Sequence, residues 1–94
     1  MKLLLFIKTN CPACKGFRVT IGFYINQNPG AEKNFYVFNI DDPAQSSIAA
    51  EYGVTGIPTI ILVREEDPVP LEVDRHVGMM PLSEFEKFVG DNLK

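Results

Sequence analysis

Cys11 and Cys14 stand three residues apart and are the only cysteines in a chain of 94 residues. A lone pair placed at random in so short a chain falls at that spacing on the order of 2% of the time, so the spacing carries information. On a helix, residues three apart share a face, with about 5–6 Å between them. A disulfide accepts Cα separations of roughly 4.4–6.8 Å. The two sulfurs can therefore join and part without a backbone rearrangement. The chemistry open to such a pair is reversible dithiol–disulfide exchange, in which one thiolate attacks a disulfide and the second thiol resolves the mixed disulfide. Two readings compete: packing cysteines, and a metal site. A metal site usually needs four ligands, and the only histidine is His76, so no metal is expected.

Local sequence says where the pair sits. Leu3–Ile7 is a continuous apolar run, the mark of a strand covered on both faces. Pro12 then suits the first position of a helix, where its missing N–H is no loss. A helix N-terminus offers unpaired N–H groups and partial positive charge, which favour a thiolate on Cys11. Cys14, one turn further in, is expected to be more buried. Cys11 is thus the candidate nucleophile and Cys14 the candidate resolving thiol. Pro12 and Ala13, between them, and Lys8, three residues before Cys11, are candidates for tuning the pair. Lys8 and Lys15 also read as ordinary solvated lysines.

The elements that must position these residues follow from patterning. The first helix should run to about Asn28, with Cys14, Phe17, Ile21 and Tyr24 inward and Pro29-Gly30 ending it. Val19 and Phe23, off that stripe, read as a widening of the buried face, with a partner patch as the alternative. Phe35–Ile40 is a second strand. Asp42-Pro43 caps a short helix with Ala44, Ile48 and Tyr52 on one face, and Gly53 closes it. Thr59–Val63 is the strongest strand, and a turn over Arg64–Pro68 leads to a weaker one at Leu71–Val77. The last helix opens near Pro81, with Leu82, Phe85, Val89 and Leu93 inward. The order β-α-β-α-β-β-α predicts a three-layer α/β fold: a four-stranded mixed sheet covered by three helices.

Composition bounds the rest. The chain is 46% hydrophobic and 22% charged, sized for a single domain over residues 1–94. A net charge of −3, from 12 acidic and 9 basic residues, argues against a nucleic-acid partner. Five apolar residues between Lys2 and Lys8, with no small-residue cleavage site, do not make an export signal. Nothing approaches the roughly 20 apolar residues of a membrane span. A cytoplasmic, monomeric protein is expected, and in a reducing compartment paired cysteines point to catalysis, redox sensing or metal.

Cys11-Pro12-Ala13-Cys14 after the first strand, Tyr52-Gly53-Val54-Thr55-Gly56-Ile57-Pro58-Thr59 and a Gly78 in the last strand together resemble the thioredoxin family, from about Leu3 to Leu93. The resemblance implies a minimal thioredoxin fold without the additional N-terminal strand and helix. It further implies a cis Pro58 facing the cysteines, and an Ile57 backbone that pairs with an extended substrate segment beside Gly78. The implied activity is reduction of protein disulfides. No bound cofactor is implied beyond the Cys11–Cys14 pair, and recharging falls to a reductase or a small thiol. The chain departs from that family at Asn10 and at Pro12-Ala13, and at Leu5 and Val37, where thioredoxins carry a buried Asp and a Lys. Cys-Pro-x-Cys and Lys8 resemble glutaredoxins instead. A glutathione-dependent reductase is therefore one alternative, and a non-catalytic binding module of the same fold is another.

Overall fold

Two apolar runs that need cover on both faces dictate the architecture. In the computed structural model, which describes residues 1–93, they form β1 (Lys2–Ile7) and β3 (Thr59–Arg64) at the centre of one sheet. The edges are β2 (Phe35–Asn39) and β4 (Leu71–Val77), giving the order β2-β1-β3-β4. β1 runs parallel to β2 and antiparallel to β3, and β3 is antiparallel to β4. Lys94, the last residue of the expected domain, lies outside the described residues.

Alternation along the central strands separates two cores. Leu3, Leu5 and Ile7 of β1 and Ile60 and Leu62 of β3 face α1 (Pro12–Gln27) and α3 (Leu82–Val89). There Cys14, Phe17, Ile21 and Tyr24 form the buried stripe of α1. Phe85 of α3 makes edge-on ring contacts with Phe17, Tyr24 and Phe35. On the other face Leu4, Phe6, Ile61 and Val63 meet α2 (Pro43–Glu51). The three layers read from the pattern are those observed.

Several expectations need correcting. Val19 and Phe23 do not widen the buried face of α1; they are 61% and 58% exposed. α1 packs on the sheet through one stripe, and among the described residues no other element covers their side of the helix. Ala44 is exposed, and Ala49 is the residue that α2 buries. That helix covers only part of the second face, so its contact is narrower than a full amphipathic stripe. Gly78 lies just beyond the end of β4, not within it. A 3-10 turn at Ala31–Asn34, which the patterning did not show, carries the chain from α1 into β2. Leu93 is buried past the end of α3, and the carbonyl there accepts from Asn34 Nδ2 at 3.2 Å. At the start of β1 the Met1 amino group donates to the Asn92 carbonyl at 3.2 Å.

The register gathers four chain segments at one end of the sheet. Ile7 pairs with Asn39, Phe6 with Thr59, and Thr59 with Val77. The segments leaving β1, β2 and β4 and the one arriving at β3 therefore converge, and the cysteines stand among them.

Candidate functional site

β1 delivers the chain to a turn at Thr9 and Asn10, and Asn10 takes a left-handed conformation with φ 55°. Asparagine tolerates that region better than most residues, because its short amide bonds locally. The turn is tied to its neighbour: Thr9 N–H donates to Asp41 Oδ2 at 2.9 Å, and Asp41 N–H to Asn39 Oδ1 at 2.9 Å. Cys11 follows in extended conformation as the N-cap of α1, with Pro12 as the first helical residue. Its Sγ accepts the Cys14 N–H at 3.1 Å, the bond that a Ser, Thr or Asp side chain usually makes there.

The two sulfurs are joined as a disulfide, with 5.2 Å between the Cα atoms. Both cysteines are buried in this state, Cys11 at 6% exposure and Cys14 at 3%, so Cys11 lies nearer solvent. On reduction the helix N–H that caps the Cys11 sulfur is left aimed at it, where a thiolate is the better acceptor. Pro12 is exposed and Ala13 half-buried, packed against the same apolar cluster as the cysteines. Ile57 packs against that cluster too.

The segment ahead of β3 is held from three directions. Its Ile57–Pro58 peptide is cis. Thr59 Oγ1 donates back to the Gly56 carbonyl, and Gly78 N–H donates to the Pro58 carbonyl at 2.7 Å. Gly78 takes φ 95°, which suits a residue without a Cβ. Arg75 secures the approach: Nη2 reaches the Tyr52 carbonyl at 2.6 Å, and Nε and Nη2 grip the Glu72 carboxylate at 2.7 and 2.6 Å. Those hydrogen bonds hold the Glu72 carboxyl below the ordinary carboxylate range.

Leu5 and Val37 are register partners on β1 and β2. Leu5 is buried with both cysteines in one apolar cluster, so that position supplies no carboxylate to it. Met79 lies over Gly16 near the start of α1 and is half exposed, whereas Met80 is buried in the core.

Lys8 is exposed and lines a cleft of about 320 Å³ together with Cys11, Cys14, Lys15, Arg18 and Asn39. Arg18 was not legible as a site residue from spacing to the cysteines alone, although it follows Cys14 by one helical turn. The Thr9–Asp41 tie was missed as well, because a long-range hydrogen bond leaves no local signal. Among the described residues, no three His, Cys, Asp or Glu side chains cluster as a metal site, and no helix is long and apolar enough to cross a membrane.

A model of the thioredoxin-like domain family matches residues 1–92. No curated protein sequence matches the chain. Among solved structures, the chain is similar to a thioredoxin of Trichomonas vaginalis, at TM-score 0.73 and 23% identity over 98% of this chain and 78% of that one. It is similar to a Fasciola hepatica thioredoxin at TM-score 0.71 and 23% identity, covering 93% and 75%. A Thermus thermophilus thioredoxin gives TM-score 0.70 and 24% identity, covering 93% and 68%.

Proposed function

The chain belongs to the thioredoxin-like family, and from that premise we propose that it is a thiol–disulfide oxidoreductase that reduces disulfides in proteins. The observation that carries this reading is the Cys11 sulfur set as the cap of α1, bonded to Cys14 and aimed at by the Cys14 N–H at 3.1 Å.

In the reduced chain the Cys11 thiolate attacks one sulfur of a substrate disulfide. That S–S bond breaks, a mixed disulfide forms, and the departing substrate sulfur takes a proton. Cys14, deprotonated, then attacks Cys11 Sγ and releases the second substrate thiol. Two electrons pass to the substrate, and the Cys11–Cys14 disulfide remains. An external dithiol reductase or a pair of small thiols returns the two electrons. With Leu5 beneath the pair, the Cys14 proton leaves to water or to the departing thiolate. Ile57 and the cis Pro58 offer main-chain groups to an extended substrate segment, a mode of holding that tolerates many sequences. Gly78 leaves room for it. Pro12, Ala13 and Lys8 tune the pair. The reading includes a reducing compartment, the cytoplasm, and a monomer.

The test is turnover. Catalytic amounts of the chain should accelerate reduction of insulin by dithiothreitol, and Cys11→Ser should abolish the acceleration. A Cys11→Ser chain that still accelerates reduction would end the proposal. Unchanged affinity for a captured partner in the Cys11→Ser/Cys14→Ser chain would favour the binding module.

A further inference from the structure

Three cations line the cleft beside the cysteines, and among the described residues no carboxylate lines it. Among the described residues the ion pairs join Lys2 to Glu65, Arg64 to Glu66 and Arg75 to Glu72, and none engages Lys8, Lys15 or Arg18. Asp41, hydrogen-bonded to Thr9 and Asn39, does not line the cleft but stands beside it, so one negative charge offsets part of the field of the three cations. A third of the chain's 9 basic residues thus face one opening, in a protein whose net charge is −3.

We propose that this cleft is a carboxylate-recognising subsite, through which the chain selects protein disulfides that carry an acidic residue beside the attacked cysteine. The proposal rests on the oxidoreductase reading above and names its substrate class. The sheet order supports a protein segment as the occupant. Asn39, at the end of β2, puts the cleft on one side of β1, whereas Pro58 and Gly78, on β3 and after β4, lie on the other. A segment laid across Cys11 therefore meets main chain at Ile57 on one flank and cations on the other. Because the chain is acidic elsewhere, the attraction is local, acting over about one Debye length, near 10 Å at 0.1 M salt.

The test uses three peptides identical except for Asp, Asn or Lys flanking a single cysteine. Each is held in a disulfide with the same uncharged fluorogenic thiol and mixed with pre-reduced chain. Exposed charge pairs are each worth a factor of roughly 1.5 to 5, so the Asp peptide should react about tenfold faster than the Lys peptide. The ratio should shrink at 0.5 M salt, and Lys15→Gln/Arg18→Gln should bring it below about twofold. Tuning of the Cys11 thiolate by these cations would move all three peptides alike, so the ratio isolates recognition. Equal rates for the three peptides overturn the inference and leave the oxidoreductase reading standing. No reaction with any peptide removes that reading, and the inference with it. Preference for glutathione disulfide over its ethyl ester, with none among the peptides, overturns the protein-segment assignment in favour of a small acidic disulfide.

Discussion

Val77 fills the space that a side chain on Gly56 would need: a Cβ there would lie 2.6 Å from Val77 Cγ1. The β-branched Val77 has little rotameric freedom with which to yield. Gly56→Ala should therefore displace the segment before Pro58 and cost about 1–3 kcal/mol. Val77→Ala in the same chain should recover most of that loss. Urea unfolding of the two single variants and the double variant measures the coupling, and strict additivity would refute the contact as its source.

Reactivity should split between the cysteines. In the reduced chain, iodoacetamide should modify Cys11 at least about tenfold faster than Cys14, because the capping N–H and the greater exposure both favour Cys11. Mass spectrometry of the partly alkylated protein reads the ratio. Cys14→Ala should accumulate mixed disulfides with a protein substrate, whereas Cys11→Ala should accumulate none.

Phe85 joins the rings of Phe17, Tyr24 and Phe35 at full burial. Phe85→Ala should cost about 3–5 kcal/mol. For a domain of this size that lowers the melting midpoint by at least about 12 °C, measurable by circular dichroism.

Leu5→Asp would set a carboxyl in the apolar cluster beneath the cysteines. Burial raises the pKa of such a group above its unfolded value near 3.9. The variant's loss of stability should thus be full above the folded-state pKa and shrink as pH falls through it. Denaturant midpoints between pH 4 and 8 test this, and a pH-independent deficit would contradict it.

The Glu72–Arg75 pair works in the opposite sense. The Glu72 carboxyl is lowered from 4.5, first through its hydrogen bonds with Arg75. Its contribution is present above the unfolded pKa and lost as pH falls through the folded one. With both side chains partly exposed, Glu72→Gln should cost about 0.5 kcal/mol at pH 7, and the difference should shrink as pH falls through the folded-state pKa.

Much of this molecule could be read from local chemistry. The stripe Cys14, Phe17, Ile21, Tyr24 was legible because Pro12 fixes where α1 begins, and the sheet then selects one face. The continuous runs in β1 and β3 announced strands covered on both sides. What escaped depends on distant partners. Ala49 rather than Ala44 is buried because α2 covers only part of its face of the sheet. Val19 and Phe23 have apolar side chains, but no element among the described residues covers them. The cysteines themselves were plain from spacing. The Arg75 grip on Tyr52 and the Thr9–Asp41 tie span 23 and 32 residues, and no sequence window holds both partners.

The hydrogen bond between the Met1 amino group and the Asn92 carbonyl sits at the start of β1, the end of the sheet remote from the cysteines. A linker attached at either position leaves from the back of the molecule. Anchored to a bead, a scaffold or a second protein, the chain would present its sulfurs outward with the approach clear. Copies strung in tandem could each work without shading the next.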